Sequence, residues 1–342
     1  MENSVLLIFT GGTILMDEDQ QSKSLSPLKP KQVLKYLPEL KKINVNIEIE
    51  TFKPLIDSSD IQPKNWVEIC KIIKERYDEF DGFVVLHGTD TMSFSASAVS
   101  FMLENLSKPV IFTGSQLPAG VPRSDAMENL LTAIEIAKAK NDDGSAKIQE
   151  VCLFFGDKLF RGNRTTKRNA EGFDAFASFN FPILAKSGVH IKYYSEYFLQ
   201  KNTVKPLKIN SKLDDNIAIL KLFPGINEQT VRSILAIKNL KAVILETYGA
   251  GNACSAEWLF DLLNEADKSG IILLNITQCG TGCVEMQKYK VGENLMRAGV
   301  ISGCDMTAEA AVTKLMFLLS QYSDNQIVKK YLKRDLKGEM TI

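Results

Sequence analysis

Threonine hydroxyls set among glycines and carboxylates, together with one lysine, are the groups in this chain best suited to covalent chemistry. Thr10-Gly11-Gly12-Thr13 lies near the start, and His87-Gly88-Thr89-Asp90-Thr91 lies some seventy-five residues on. Asp57-Ser58-Ser59-Asp60 falls between them. Each segment combines hydroxyls or carboxylates with little bulk, and glycines let a backbone approach a ligand and present its N–H groups. A hydroxyl nucleophile needs a base. Only two histidines, His87 and His190, are present, which leaves few candidates for a histidine triad and excludes a histidine metal cluster. Lys167, in Arg161-Gly162-Asn163-Arg164-Thr165-Thr166-Lys167, is the alternative. A lysine buried beside an aspartate can take a threonine proton, as in Ser–Lys systems. Each segment also has a plainer reading: Gly-Gly as a turn, Ser-Ser-Asp as a helix cap, Lys167 as a solvated charge.

These segments stand where a parallel sheet would put a site. Val5 to Phe9 reads as a strand running into Thr10, and Gly82 to Leu86 as a buried strand running into His87. Glu48 to Leu55 reads as extended chain leading to Asp57, and Val110–Thr113 and Val151–Phe155 as further strands. Between them fall helical patterns at Pro63–Tyr77, with proline in the first turn and Trp66, Ile69, Cys70, Ile73 and Tyr77 on one face, and at Asp125–Lys140, capped by Ser124. Strand, loop and helix in alternation imply a mainly parallel sheet with helices on both faces. Ligands then bind outside the carboxyl ends of the strands. Residues 196–214 lose the pattern and read as a linker between an N-terminal catalytic domain (1–195) and a C-terminal α/β domain (215–342). In the latter, strands are expected at Ile217–Phe223, Val243–Glu246 and Ile271–Ile276, and helices at Glu228–Ile237, Ala256–Lys268 and Ala308–Gln321. The last carries Val312, Leu315, Met316 and Leu319 at helical spacing, with Thr307 as its cap.

A chain of 342 residues exceeds what one core usually serves, so two domains are the default. Lys plus Arg and Asp plus Glu balance at 41 each, so no basic excess points to nucleic acid or an anionic membrane. The N-terminus lacks the cationic and apolar regions of a signal peptide, and no stretch is long and apolar enough for a membrane helix. A cytoplasmic protein with six reduced cysteines is the expectation. Cys279 and Cys283, four apart, read as small buried hydrophobes rather than metal ligands. Gly-x-Gly-x-x-Gly and Gly-x-Ser-x-Gly are both absent, which weakens a dinucleotide site and a serine-hydrolase elbow.

Taken together, the motifs resemble those of the type I L-asparaginases over nearly the whole chain. The two family signatures are matched by Thr10-Gly11-Gly12-Thr13-Ile14 and by Leu86-His87-Gly88-Thr89-Asp90-Thr91-Met92. Also matched are Pro54-Leu55-Ile56-Asp57-Ser58-Ser59-Asp60, Ser100-Phe101-Met102-Leu103-Glu104-Asn105-Leu106, Thr113-Gly114-Ser115-Gln116 and the segment ending at Lys167. Towards the C-terminus follow Tyr248-Gly249-Ala250-Gly251-Asn252 and Gly303-Cys304-Asp305-Met306-Thr307. The resemblance implies a larger N-terminal and a smaller C-terminal α/β domain, no metal, no organic cofactor, and a homotetramer built as a dimer of dimers. It implies hydrolysis of L-asparagine to L-aspartate and ammonia, with Thr13 as nucleophile and Thr89, Asp90 and Lys167 as the second catalytic group. Asp57, Ser58 and Ser59 then form the substrate-holding loop, with Ser58 and backbone N–H groups on the α-carboxylate. Asp90 takes the α-ammonium through a charge-assisted bond, and glycine-loop N–H groups stabilise the oxyanion.

Two departures from the family stand out. Leu15 to Pro30 contains no tyrosine, and Lys23, Ser24 or Leu25 occupies the approximate place of the family's mobile-loop tyrosine. Glu246, in Leu245-Glu246-Thr247-Tyr248-Gly249, stands where some bacterial type I members carry an effector-binding arginine. Thr166 and Cys279 resemble other walls of that effector pocket, so a remnant site is an open reading. The rivals are an amidase acting on glutamine, an amidotransferase subunit and a non-catalytic amino-acid-binding module.

Overall fold

A computed structural model of the chain describes residues 3–12, 14, 16–18, 25–27, 44–199 and 205–342. It divides into two compact units, Met1–Ser211 and Lys212–Ile342. The N-terminal unit is built on an eight-stranded sheet: β1 (Ser4–Phe9), β2 (Asn46–Thr51), β3 (Gly82–Leu86), β4 (Val110–Thr113), β5 (Val151–Phe155), β6 (Lys158–Arg161), β9 (Ala185–Lys186) and β10 (Lys192–Tyr193). The short pair β7 (Thr166–Lys167) and β8 (Phe176–Ala177) forms a separate ribbon. The sheet order is β10-β9-β6-β5-β4-β3-β1-β2. The pairs from β2 through β5 are parallel, and those joining β5, β6, β9 and β10 are antiparallel.

The parallel strands are apolar on both faces because helices cover both. Val5, Leu7, Phe9, Val84, Leu86 and Ile111 pack with Leu130, Ala133, Ile134 and Ala137 of α3 (Ala126–Lys138) in one core. The opposite face carries Phe83, whose ring stacks on Tyr77, two residues beyond α1 (Pro63–Glu75). There α1 also meets α2 (Met92–Met102) through the bond from Trp66 Nε1 to Ser95 Oγ, 2.8 Å. Pro63 occupies the first turn of α1, where its missing N–H costs nothing. The cap of α3 differs from expectation: Asp125 is the N-cap residue, and Ser124 Oγ accepts from Ala126 N–H. The Asp125 carboxylate is engaged elsewhere, by Gln116 N–H and Leu117 N–H. Within the stretch expected as a connector, Lys208–Ile209 pairs antiparallel with Leu103–Glu104.

The C-terminal unit holds a parallel four-stranded sheet in the order β11 (Ile217–Lys221), β12 (Ala242–Thr247), β13 (Ile272–Thr277) and β14 (Ile301–Ser302). Its helices are α4 (Glu228–Leu235), α5 (Glu257–Lys268), α6 (Lys290–Arg297), α7 (Ala308–Gln321) and α8 (Asn325–Leu332). Thr307 caps α7, its Oγ1 accepting from Ala310 N–H at 3.1 Å. The fold is the expected one, a mainly parallel α/β unit followed by a smaller α/β unit. Strands β6 to β10 and β14 and helices α6 and α8 lie outside the elements expected from the sequence. Among the described residues no helix is long and apolar enough to cross a membrane.

Candidate active site

Three loops leave the carboxyl ends of β1, β2 and β3 and converge. Thr10 N–H and Oγ1–H both donate to Leu86 O at 3.0 Å, and Ile56 N–H donates to Thr10 O at 2.9 Å. The backbones lie so close that Gly11, where a Cβ would run into Ile56 O, and Gly12 admit only glycine, while a Cβ on Gly88 would collide with the Ser58 side chain. A Cβ on Gly12 would stand 2.5 Å from Gly88 N, and one on Gly88 2.5 Å from Ser58 Oγ. Gly12 also has φ +89°, a left-handed value. Sequence-distant segments 10–12, 56–59 and 87–91 therefore form one surface. Thr13 itself lies outside the described residues, as do Lys23 and Ser24; the flanking Gly12 and Ile14 are both buried.

On this surface the Lys167 ammonium donates to Thr89 Oγ1 at 2.8 Å and to Asp90 Oδ1 at 2.7 Å. The sequence separates these partners by 78 and 77 positions. Lys167 is 17% exposed and Asp90 63%, so the pair is anchored at the lysine and open at the carboxylate. What brings Lys167 there is the run before it. Arg161 Nε pairs with Glu150 Oε2 at 2.7 Å, both nearly sealed from solvent. The Arg161 and Arg164 guanidinium groups lie over the Phe181 ring at 4.3 and 5.1 Å. Thr165 Oγ1 bonds Gly162 O at 2.8 Å. Lys167 then pairs in register with Phe176 across the β7–β8 ribbon.

Gln116, the last residue of the Thr113-Gly114-Ser115-Gln116 motif, joins the cluster. Its Oε1 lies 3.3 Å from Thr89 Oγ1, while its Nε2 donates to Gly172 O and Ala170 O at 3.1 and 3.3 Å. It therefore links the threonine to the 170–172 loop. In the second loop Asp57 accepts from both Ser59 N–H and Ser59 Oγ–H at 2.9 Å. These bonds hold the Asp57 carboxyl below the usual carboxylate range. Ser58 is buried, and its carbonyl accepts from Thr91 Oγ1 at 2.6 Å.

Thr166 sits beside Lys167 on β7, whereas Glu246 and Cys279 belong to the C-terminal unit. Glu246 Oε2 is 3.1 Å from Lys221 Nζ, its register partner across β11 and β12. Cys279 is exposed and Cys283 half-buried, contrary to the expectation of buried thiols, because both fall in the loop following β13. Cys70, Cys254, Cys279 and Cys283 are free thiols.

Residues 4–198 match the family model for the asparaginase N-terminal domain, and residues 216–332 that for the glutaminase/asparaginase C-terminal domain. The chain belongs to the asparaginase family. It is 42% identical over 350 residues to L-asparaginase 1 of Escherichia coli (strain K12), covering 99% of this chain and 98% of that protein. Solved asparaginase structures also match. L-asparaginase I from Vibrio cholerae superposes with a TM-score of 0.90 at 39% identity, covering 100% of both chains. The thermostable L-asparaginase from Thermococcus kodakarensis gives 0.89 at 32% identity, covering 99% of each. In an asparaginase fold the hydroxyl–ammonium–carboxylate cluster falls at the carboxyl ends of parallel strands, where open α/β sheets bind ligands.

Proposed function

We propose that this chain is an L-asparaginase that hydrolyses L-asparagine to L-aspartate and ammonia. The observation that carries the reading is the Lys167 ammonium bonded at once to the Thr89 hydroxyl and the Asp90 carboxylate. Asparagine is a small zwitterion whose two charged ends must be held apart from its reacting amide. Asp90 gives one oxygen to Lys167 and its other to the substrate's α-ammonium, a charge-assisted bond. The 57–59 loop, with Ser58 against Gly88, receives the α-carboxylate. The side-chain amide is then left beside Thr89 for attack by Thr13, the residue after Gly12. Thr13 attacks the amide carbon and ammonia leaves. Water hydrolyses the resulting aspartyl ester, with Thr89 and Lys167 relaying the proton. Backbone N–H groups of the glycine loops face the oxyanion, each donor worth about 10²–10³ in rate. We further propose a cytoplasmic homotetramer, a dimer of dimers.

Ammonia release tests the reading. Purified protein is expected to liberate ammonia from asparagine well above its rate with buffer alone. Thr13→Ala is expected to keep the fold and lose several powers of ten in rate, because only binding and oxyanion contributions remain. Retention of more than about a tenth of the wild-type rate would remove Thr13 from the nucleophile's role.

A further inference from the structure

His87 precedes the Gly88-Thr89-Asp90 segment, and nothing in the proposed reaction uses it. It is fully buried, on the face of β3 that α1 and α2 cover, beside Phe112 at 6.0 Å between ring centres. Its Nδ1 is 2.7 Å from its neighbour's carbonyl, Gly88 O, and its Nε2 is 2.8 Å from Ser95 Oγ. Ser95 Oγ in turn accepts from Trp66 Nε1–H at 2.8 Å.

For a neutral ring the donor inventory fixes every proton in this chain of bonds. A carbonyl oxygen only accepts, so Nδ1 must carry hydrogen. An indole N–H only donates, so Ser95 Oγ accepts there and keeps its own hydrogen for Nε2. Trp66 N–H thus donates to Ser95, Ser95 O–H to Nε2, and Nδ1–H to Gly88 O. The opposite tautomer would set a bare Nδ1 against a carbonyl at 2.7 Å, with no hydrogen between them. The doubly protonated ring would turn Nε2–H towards a hydroxyl already accepting from Trp66. Burial also pushes the imidazole down to about 4, which keeps it neutral.

We propose that His87, held as the neutral Nδ1–H tautomer by Ser95 and Trp66, is a positioning residue for Thr89 and Asp90. The proposal rests on the reading of those two residues as part of an asparaginase site. Nδ1–H pins the Gly88 carbonyl inward. Across a trans peptide the N–H of the next residue points the opposite way, so the Thr89 N–H turns away from the imidazole. With that peptide plane fixed, the Thr89 side chain is set towards Lys167 Nζ at 2.8 Å. Misplacing a reacting group by about 1 Å can cost on the order of a hundredfold in rate.

Two substitutions separate the two ring nitrogens. Asparagine places its amide NH₂ near the position of Nδ1, and glutamine places its own near Nε2. His87→Asn is expected to stay within about threefold of wild-type kcat on asparagine, and His87→Gln to lose tenfold or more with KM within about threefold. Equal kcat in the two variants, whether high or low, would overturn the proposal. A measurement on the unsubstituted protein covers the case in which neither variant folds. With only two histidines, ¹⁵N-labelled imidazole spectra at neutral pH resolve both rings, exposed His190 serving as the internal comparison. One ring is expected in the pure Nδ1–H form; an Nε2–H or doubly protonated pattern for His87 overturns the proposal. If wild-type protein releases no ammonia from asparagine, the proposed function falls while the tautomer spectrum still judges the anchor.

Discussion

Replacing Lys167 with methionine separates catalysis from stability in one experiment. The substitution keeps most of the stem volume and deletes the ammonium that bonds Thr89 Oγ1 at 2.8 Å and Asp90 Oδ1 at 2.7 Å. The cost to folding is small, because the ion pair is 63% exposed on the Asp90 side and such pairs contribute about 0.2–1 kcal/mol. The cost to the reaction is large, because a positioned proton-transfer group contributes about 10²–10⁴ in rate. At about 1.36 kcal/mol per decade, that is about 2.7–5.4 kcal/mol of transition-state stabilisation. The second figure exceeds the first severalfold, so a folded protein with collapsed turnover is the expected result. Steady-state ammonia release against asparagine concentration gives kcat and KM separately, and a thermal melt gives the stability. Lys167→Arg adds a control: it keeps a positive charge but cannot act as a base, since guanidinium does not deprotonate in proteins. Both variants should lose kcat alike. A large rise in KM at unchanged kcat, or an arginine variant with more than about a tenth of wild-type kcat, would show that Lys167 only binds.

Three further outcomes are expected. Asparagine should be favoured over glutamine by at least tenfold in kcat/KM, about 1.4 kcal/mol. Ser59 is short and its hydroxyl is already bonded to Asp57, which leaves no long side chain to hold the longer amide; equal specificity constants would refute this. Kinetics with asparagine should be near-hyperbolic, because Glu246 puts a carboxylate, paired with Lys221, where an effector carboxylate would meet an arginine in cooperative relatives. A Hill coefficient near two that disappears in Glu246→Ala would reverse that argument. Lys314→Met should destabilise the protein by about 3–5 kcal/mol, seen as a lower urea midpoint. It strands the Glu339 carboxylate, which is wholly buried 2.6 Å from Lys314 Nζ; an unchanged midpoint would show that the pair is dispensable.

The sequence by itself determined the elements whose periodicity is local. Gly82–Leu86 reads as a strand buried on both sides because every residue is apolar or glycine, and α7 carries both its apolar stripe and its capping Thr307. The glycine-flanked threonines and the Ser58 loop were also legible, since each directly follows extended chain. Strand β6 was not: Lys158-Leu159-Phe160-Arg161 has charged ends and no alternation, and it becomes a strand only by turning back on β5 through Gly156 and Asp157. The Glu246–Lys221 pair depends on the register of two parallel strands, which neither strand encodes alone. The same holds at the site. Local spacing could nominate Lys167, but its distance to Thr89 depends on the buried Arg161–Glu150 pair, the Phe181 ring and the β7–β8 ribbon. His87 looked like a motif letter until Ser95, 8 positions from it, and Trp66, 29 positions from Ser95, gave its two nitrogens different tasks. Periodicity and turn chemistry act over a few residues, so the sequence reveals them. The direction of a side chain towards a partner 78 positions away is fixed only when both backbones are packed in place.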